Sequence, residues 1–501
     1  MMNERASGIL LHPTSLPGKY GIGTLGKAAF DFIDFLVRAR QQYWQILPLG
    51  PTGYADSPYQ CFSAHAGNPN LIDFDLLIKA KLLHNEDLED FPHFSEDAVS
   101  FDALQNARLP LLKKAFQSFT MYADNIEKLA YRNFLKDNAK WINDYALFRA
   151  IKANRNQKPW YQWETPLKMR ESETIKAIQA LLHEEIDFHK FLQFVFFRQW
   201  MAVKEYAHKN KIRIIGDIPL YVALDSADSW ANPEIFEFDA ERNPIRVGGV
   251  PPDYFSETGQ LWGNPLFRWD VLKETGYSWW VDRINTNLFL YDVIRIDHFR
   301  GFSAYWAIPY GEKTAVHGEW IPCPGNDFFE FLRTKSGNLP IIAEDLGVIT
   351  PDVETLRDDF GLPGMKILQF AFDSSEANDY LPHNYIKNCI VYTGTHDNDT
   401  IIGWFNGATP EDRKYMLDYL NAPEKDINWT LIRLAWASVA YTAIVPMQDI
   451  LGLGSASRMN LPGTTANNWQ WRAKANVFTD DLAEKLAHLT VLYGRTKKTK
   501  K

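Results

Sequence analysis

The sequence predicts an α/β fold, a (β/α)8 TIM barrel with a large inserted helical subdomain after the second strand and no C-terminal β-sandwich. Short apolar, β-branched runs alternate with helical patterns along most of the chain, which indicates βα units and a parallel sheet. Eight such runs occur, and each is nearly continuously hydrophobic, as strands buried on both faces are. A chain of 501 residues accommodates one such barrel together with its insertions.

The eight predicted strands are separated by helical patterns at most of the intervening positions, which is the order expected of a barrel. The clearest helical stretches are residues 25–38, 191–208 and 351–360. The predicted strands, in chain order, are residues 8–11, 43–47, 212–218, 293–298, 340–345, 365–370, 389–395 and 441–447.

The spacing of these strands is uneven and predicts two excursions from a single domain that spans residues 1–501. About 160 residues separate the second and third strands, too many for one helix and its loops. Residues 70–185 are polar and helix-prone, so we expect a mostly helical subdomain inserted at the C-terminal face of the barrel. Residues 223–264, rich in Pro, Gly and Asp, predict an irregular excursion that includes a loop at 248–264. Only some 50 residues follow the last strand, too few for a β-sandwich.

Charge and composition exclude several classes of protein. The formal net charge is −9, whereas nucleic-acid binding needs clustered Lys and Arg on one face. The single basic cluster, residues 497–501, is a short terminal tail that we interpret as a solvated end. Aromatic residues make up 14% of the chain and include 17 Trp, which is a mild indication of carbohydrate binding because sugars stack their C–H faces on aromatic rings.

The sequence carries no recognisable secretion or membrane signal, and the predicted location is the cytoplasm. Three cysteines, Cys61, Cys323 and Cys389, are odd in number and widely spaced, which favours a reducing compartment. The apolar stretch at the N-terminus is too short for a signal peptide. The chain has no run of 18 apolar residues, so we expect no membrane span.

Acidic residues end three of the predicted strands. The segment VIRIDHFRG (293–301) contains Arg295 and Asp297, which share one face of a strand because they are two residues apart. The segments PIIAEDLG (340–347) and VYTGTHDN (391–398) end in Glu344 and Asp397. Active sites of (β/α)8 barrels are built at this end of the strands, so the three acids are candidate catalytic groups.

The chemistry that such acids support is glycoside cleavage with retention. It requires one ionised carboxylate as nucleophile and one protonated carboxyl as acid/base, about 5 Å apart. An Asp beside a fixed guanidinium stays ionised, as a nucleophile must. Neighbouring negative charge raises the pKa of a second carboxyl and keeps its proton in place.

The motifs around these strand ends resemble the amylomaltase, or disproportionating-enzyme, family of 4-alpha-glucanotransferases in the α-amylase clan. The resemblance covers essentially the whole chain outside the inserted helical region. Its motifs are IRIDHFRG, AEDLG, THDN, GILLHPTSLPG (8–18), LPLGPTGYADSPYQ (47–60), GGVPPDYFSETGQLWGNPL (248–266), FGLPGMKILQFAFD (360–373) and QDILGLGSASRMNLPGTTANNWQWR (448–472).

The resemblance implies Asp297 as nucleophile, Glu344 as general acid/base, and Asp397 as a third acid that grips sugar hydroxyls and helps keep Glu344 protonated. It also implies a substrate-binding set around them. This set comprises Arg295 beside the nucleophile, Asp217 in support of the acids, His298 and His396 as hydrogen-bond partners of the sugar, Tyr59 as a stacking platform, Trp262 in the active-site loop, Asn468 near the cleft, and Tyr54, which either stacks on a secondary glucan site or caps a hydrophobic patch.

The implied activity is transfer of α-1,4-glucan segments from a donor maltodextrin to the 4-hydroxyl of an acceptor glucose or glucan, within starch or glycogen metabolism. The implied partners are maltodextrins and other α-1,4-glucans, with no nucleic acid and no membrane. We expect no cofactor and no metal, since no clustered oxygen-ligand loop of the calcium type is present. The expected assembly is a monomer or a weak homodimer.

A few positions depart from the family pattern or are structural. Ala55 stands where the turn GYADSPYQ is expected to have Gly, and it is strained if that turn requires a positive φ. Cys61 and His65 are more reactive or more polar than expected. Asp345, beside Glu344, is expected to be a structural hydrogen-bonding residue.

Three alternatives remain open from the sequence. Residues 21–26 read G-x-G-x-x-G, the dinucleotide fingerprint, but they do not directly follow a strand and lack the acid about 20 residues further on. A non-catalytic glucan-binding protein would have stacking aromatics without a need for all three acids. An α-amylase-like hydrolase of the same clan differs only in the fate of the glycosyl intermediate.

Overall fold

The computed structural model describes residues 4–252, 256–373 and 378–496. Two of the aromatic residues expected in the loop at 248–264, Tyr254 and Phe255, lie outside the described residues, and so does the basic tail at 497–501. The strands of the described residues are β1 (Ala6–Leu10), β2 (Tyr43–Gln45), β3 (Arg213–Pro219), β4 (Arg246–Val250), β5 (Gln260–Pro265), β6 (Val293–Asp297), β7 (Ala304–Pro309), β8 (Glu319–Pro322), β9 (Ile341–Ala343), β10 (Gly364–Ile367), β11 (Cys389–Tyr392) and β12 (Thr442–Pro446).

Eight of these strands form one parallel sheet in the order β10-β11-β12-β1-β2-β3-β6-β9. The two ends of this sheet meet, because the backbone N–H of Ala343, the last residue of β9, donates to the carbonyl of Pro363 just before β10, with an N···O distance of 3.0 Å. The sheet is therefore a near-closed eight-stranded barrel. The predicted (β/α)8 barrel is confirmed, and each of the eight predicted strands overlaps one strand of this sheet.

The contact between β9 and β10 is reinforced by the side chain of Asp345. One carboxylate oxygen accepts from the backbone N–H of Met365 at 2.7 Å, and the other accepts from Arg357 at 2.6 Å. The Asp345 side chain is buried, as is most of that of Arg357. This acid thus holds the barrel closed, which agrees with the structural role expected for it.

Helices surround the barrel, and the three clearest helical predictions correspond to α1, α8 and α13. The helices are α1 (Lys27–Arg38), α2 (Phe74–Lys79), α3 (Phe101–Tyr122), α4 (Asn125–Asp137), α5 (Ala139–Asn154), α6 (Thr165–Lys168), α7 (Ser172–Leu181), α8 (His183–Lys209), α9 (Ala227–Ala231), α10 (Trp269–Glu274), α11 (Ser278–Leu290), α12 (Gly325–Ser336), α13 (Pro351–Asp359), α14 (Ile401–Gly407), α15 (Pro410–Leu420), α16 (Ile427–Ala437), α17 (Met447–Ile450) and α18 (Asp480–Leu492).

The long segment between β2 and β3 is mostly helical and contains α2 to α8. Aromatic side chains join these helices to α8: Phe119 of α3 lies 5.1 Å from Phe191, and Phe134 of α4 lies 5.4 Å from Phe197, measured between ring centroids. Aromatic pairs at this separation contribute beyond the area they bury. The separation of residues 70–185 as a subdomain stays a prediction, since α8 connects this region directly to the barrel.

A second sheet lies beside the barrel and was not anticipated from the sequence. It is antiparallel, has four strands in the order β5-β4-β7-β8, and takes β4 and β5 from residues expected to be irregular. The β4 strand contains the adjacent pair Gly248–Gly249, and β5 is half-exposed. Because neither strand has the continuous apolar run of a barrel strand, hydrophobic patterning did not reveal them.

The glycines of residues 21–26 pack against protein groups. A Cβ on Gly23 would lie 1.9 Å from the Pro13 carbonyl oxygen, and a Cβ on Gly26 would lie 2.1 Å from a carboxylate oxygen of Asp73. The same carboxylate accepts from the Thr24 hydroxyl at 2.6 Å and therefore occupies the N-terminus of α1. A carboxylate in the position that a phosphate would need decides against the dinucleotide alternative.

The chain after β12 contains α17 and α18 and, in residues 447–496, no further strand. Helix α18 packs on α1, and the ring of Phe478 lies 5.1 Å from Phe32 and 5.3 Å from Phe35. Across residues 4–252, 256–373 and 378–496, we find no helix that combines the length and the apolar character needed to cross a membrane.

Barrel closure through Asp345 can be tested against a second acid on the same arginine. Asp345→Ala leaves the buried Arg357 without its inward partner and should lower stability by about 3 kcal/mol, measured as a lower denaturation temperature at a fixed scan rate. Asp358→Ala removes an exposed partner of Arg357 and should cost less than about 1 kcal/mol. Equal losses from the two variants would contradict the closing role of Asp345.

Candidate active site

The three predicted acids lie at the C-terminal end of the barrel strands. Asp297 is the last residue of β6, Glu344 follows the neighbouring strand β9, and Asp397 lies in the loop after β11. The backbone of Glu344 is bonded on both sides to the Asp297 segment: its N–H donates to Ile296 at 3.0 Å and its carbonyl accepts from Phe299 at 3.1 Å. The two acids are therefore held next to each other by the barrel backbone itself.

A buried arginine positions the first acid. Arg295, only 3% exposed, lies 2.9 Å from a carboxylate oxygen of Asp297 and 2.7 Å from one of Asp217. Asp217 also accepts from the Tyr59 hydroxyl at 2.7 Å. The chain Tyr59–Asp217–Arg295–Asp297 thus joins β3, β6 and the loop after β2, and it keeps a positive charge beside Asp297.

The environment of Glu344 favours its protonated form. Burial, followed by the negative charge of Asp297, raises the pKa of Glu344 to about 8. The positive charge of Arg295 and the hydrogen bond from the backbone N–H of His298, at 2.6 Å, oppose this shift without cancelling it. At neutral pH this carboxyl can therefore donate a proton, as a general acid must.

The third acid is in the opposite state. Burial disfavours the charge of Asp397, but neighbouring His396 and a hydrogen bond from Asn460 outweigh burial and lower the pKa of Asp397 to about 2. The distances are 3.3 Å from His396 Nε2 and 2.6 Å from the Asn460 amide nitrogen. Asp397 is therefore ionised throughout the neutral range and can accept hydrogen bonds from a ligand.

Aromatic rings flank the acids on two sides. The His396 ring stacks on Tyr59, with centroids 5.1 Å apart and planes 16° from parallel, and it lies 5.8 Å from Trp469. On the other side, Trp262 of β5 meets the His298 ring edge-on at 4.8 Å. Between these rings the side chains of Asp297 and Asp397 remain 28% and 43% exposed, so the acids lie in a cleft that solvent reaches.

His298 adopts a conformation unusual for a non-glycine residue. Its φ of 55° and ψ of 48° are left-handed, and this turn directs its backbone N–H at Glu344. Burial lowers the pKa of His298 to about 4, so the ring is neutral. In the part of the chain that the structure describes, its buried Nε2 has no hydrogen-bond partner, which leaves this atom available to a ligand.

Two predicted binding residues have no direct contact with the acids. Tyr54 is 74% exposed on a turn in which Ala55 has a φ of 53°, so the strain expected at this alanine is confirmed. The side-chain amide of Asn468 bonds within its own loop, to Leu461 and Thr464 at 3.0 Å. The binding roles of Tyr54 and Asn468 stay predictions.

Sequence analysis missed three residues that shape the cleft. Asn460 holds Asp397, Arg458 donates to the Asp397 backbone carbonyl, and Trp469 packs on His396. All three lie in the C-terminal motif 448–472, and membership of this motif was the one sequence feature that could have identified them. More than 60 residues separate this loop from Asp397, so no local spacing could pair them. Within the described residues no three His, Cys, Asp or Glu side chains are grouped to hold a metal ion.

Comparison with known proteins gives one consistent family. A family model described as 4-alpha-glucanotransferase matches residues 11–477. The 4-alpha-glucanotransferase of Synechocystis sp. is 52% identical over 499 residues, covering 99% of either chain, and that of Thermus thermophilus is 51% identical over 476 residues, covering 93% of this chain and 94% of that protein. The amylomaltase from Streptococcus agalactiae in complex with acarbose superposes with a TM-score of 0.96 at 43% identity, over 99% of this chain and 100% of that chain.

The raised pKa of Glu344 predicts a pH-dependent effect of Glu344→Gln on stability. Below the ordinary pKa of 4.5, Glu344 is protonated whether the chain is folded or unfolded. Between pH 4.5 and about 8 only the folded state keeps the proton, so the wild type loses stability as pH rises, by at most about 1.4 kcal/mol per pH unit. Glu344→Gln lacks this loss, and its denaturation temperature relative to wild type should climb across this window and level off above it.

The slope with pH is the informative readout. Gln offers fewer acceptor lone pairs to the N–H groups of His298 and Leu346, which changes stability by an amount independent of pH. Glu354→Gln, at an exposed position on α13, serves as the control and should show no such slope. A flat difference between Glu344→Gln and wild type from pH 5 to 8 would refute the raised pKa.

Proposed function

The chain belongs to the 4-alpha-glucanotransferase family, and we propose that Asp297, Glu344 and Asp397 carry out its reaction by retaining double displacement. The enzyme transfers α-1,4-glucan segments. The observation that carries the proposed roles is the pairing of Glu344, whose pKa is raised to about 8, with Asp297 fixed against Arg295. One carboxyl holds a proton while the adjacent carboxylate has a permanent cation beside it, which are the two states that retention requires.

In the first step the glycosidic oxygen of the donor receives the proton of Glu344. The Asp297 carboxylate attacks the anomeric carbon, the bond to the leaving glucan breaks, and a covalent glycosyl–Asp297 ester forms. Arg295 contacts the Asp297 carboxylate at 2.9 Å in the free enzyme and stays hydrogen-bonded to the unreacted oxygen of the ester. Glu344 is left ionised, ready to act as a base.

In the second step the 4-hydroxyl of an acceptor glucan attacks the same carbon from the face that the leaving glucan vacated. Glu344 takes the hydroxyl proton, the bond to Asp297 breaks, and the new α-1,4 linkage has the configuration of the old one. The enzyme returns to its starting protonation state, so no external proton is consumed.

The remaining site residues bind the sugar at the cleaved linkage. Ionised Asp397 accepts hydrogen bonds from ring hydroxyls, and neutral His298 offers its free Nε2. His396 orients Asp397, and Tyr59 presents its ring beside them. Hydrogen bonds to hydroxyls that shorten as the oxocarbenium-like transition state forms lower the barrier selectively.

Preference for transfer over hydrolysis sets this activity apart from an α-amylase-like hydrolase. Water outnumbers a millimolar acceptor by about 10⁴ to 10⁵, so a 100-fold preference for sugar needs roughly 10⁶-fold, or about 8 kcal/mol, of discrimination. A bound, well-oriented acceptor supplies this magnitude when water is excluded. Trp262, packed on His298 at the cleft wall, is the described residue best placed to exclude it.

We further propose a cytoplasmic enzyme that works as a monomer or weak homodimer on maltodextrins. Cys61, Cys323 and Cys389 form no disulfide, which suits a reducing compartment. The lowered pKa of Asp397 and the raised pKa of Glu344 suit neutral pH, at which both groups hold the required states.

Incubation with maltotriose tests the function. The wild type should convert maltotriose to glucose plus longer maltodextrins, separated by size, whereas a hydrolase yields only glucose and maltose. Asp297→Asn preserves shape without a nucleophile and should lower kcat by about 10⁴-fold. Asp345→Asn, assayed below its denaturation temperature, should remain active. An Asp297→Asn enzyme with more than a few per cent activity, beside an inactive Asp345→Asn, would overturn the assignment.

Removing the Trp262 ring should shift the enzyme towards hydrolysis. In Trp262→Ala, water gains access to the glycosyl–Asp297 ester, so the ratio of hydrolysis to transfer on maltotriose should rise by about tenfold. The assay compares newly formed reducing ends with redistributed chain lengths. Trp262→Phe keeps an apolar ring and should stay near the wild-type ratio. Equal loss of both products in Trp262→Ala would show that water is excluded by other groups.

A further inference from the structure

A large groove lies outside the cleft, between the helices of the β2–β3 region and the barrel. Its volume is about 870 Å³, within the range of roughly 300 to 1,000 Å³ typical of ligand sites. Helices α4, α5 and α8 form one side, and α9 and α11 form the other. None of the proposed catalytic and sugar-binding residues lines it, so the groove is a separate site.

Four aromatic rings follow one another along this groove. His65 and Trp141 are 6.0 Å apart and 14° from parallel, Trp141 and Phe197 are 5.9 Å and 31°, and Phe197 and Phe289 are 6.4 Å and 22°. The series begins at buried His65 and ends at Phe289, which is 54% exposed. These rings form an apolar path in which His65 and Phe197 are buried, while half-buried Trp141 and exposed Phe289 carry the ring surface that a ligand can reach.

Polar side chains along the same groove remain available to a ligand. Asn133 and Asp137 of α4 and Asn285 of α11 line it, and in the described residues their side chains make no hydrogen bond to protein groups. The two cations that line the groove are already paired, Lys140 of α5 with Asp282 of α11 at 2.7 Å and Arg198 of α8 with Glu127 at 2.5 Å. Amide and carboxylate groups beside ring faces suit an uncharged polyol, and among the described lining residues no Lys or Arg is left unpaired to hold a phosphate.

We propose that this groove binds a segment of α-1,4-glucan outside the active site. The apolar C–H faces of successive glucose units lie along the ring path, while their hydroxyls bond to Asn133, Asp137 and Asn285. This inference rests on the proposed function, because it takes the occupant from the substrate class of the same enzyme.

The physical consequence is a second anchor for long substrates. When a long glucan binds in the groove, it raises the local concentration of its other segments, or of other chains of the same branched particle, at the cleft. A trisaccharide is too short to gain from this effect. The groove should therefore lower KM for long glucans and leave the kinetics with maltotriose unchanged.

Kinetic comparison of long and short substrates tests this proposal. The double variant Phe289→Ala/Asn285→Ala alters two exposed positions of α11 and should fold normally. Its KM for amylose should rise at least fivefold, while kcat and KM for maltotriose stay within twofold of wild type. Tyr122→Ala removes an exposed aromatic residue that does not line the groove and should change neither.

Calorimetric titration with maltoheptaose supplies a second, independent readout. Asp297→Asn should show two binding events, and adding Phe289→Ala and Asn285→Ala should remove one of them. A single event in Asp297→Asn, or an amylose KM in the double variant equal to that of Tyr122→Ala, overturns the proposal. If the wild type does not redistribute maltotriose, the proposed function is refuted. The titration still decides whether the groove binds glucan, because it measures binding and not transfer.

Discussion

The buried charge of Arg295 is the constraint on which the rest of the active site depends. A guanidinium that is 3% exposed must be paired, because an unpaired buried charge costs several kcal/mol. Of its two partners, Asp297 lies on the same strand, β6, and Asp217 lies on the neighbouring strand β3, opposite Arg295 in the register. A one-residue slip of that register would turn these side chains to the other face of the sheet. The pairing of Arg295 with Asp217 therefore depends on the hydrogen-bond register between β3 and β6.

The carboxyl groups of the site differ in protonation state because their surroundings differ. Burial and the charge of Asp297 leave Glu344 protonated, with a pKa of about 8. Desolvation also disfavours the charge of Asp397, yet His396 and Asn460 lower its pKa to about 2. The positive charge of Arg295 acts on both Glu344 and Asp397 and opposes protonation of each. The cleft can hold all three acids close together because only some of them are charged at once.

Segments outside the barrel strands supply the aromatic side chains that surround the acids. Trp262 comes from the antiparallel sheet, Tyr59 from the loop after β2, and Trp469 from the C-terminal loop. The loop after β2 also tolerates backbone strain, since Ala55 on it has a φ of 53°. The helices between β2 and β3 also add a surface outside the barrel. They place Trp141 and Phe197 opposite the barrel helix α11, and the groove between them is the one proposed to bind a second glucan segment.

By itself the sequence determined the eight barrel strands and the positions of the three acids, because strands buried on both faces need continuous apolar runs and because catalytic groups follow them directly. It also placed Arg295 and Asp297 on one face through the two-residue period of a strand. The tertiary structure alone decided which distant groups meet: Asn460 with Asp397, Tyr59 with Asp217, and α4 and α5 with α11. It likewise decided the second sheet, in which β4 carries two adjacent glycines and β5 is half-exposed, so that neither has an apolar run. Local periodicity reports only which face of its own element a residue buries, whereas these contacts join segments separated by tens to hundreds of residues.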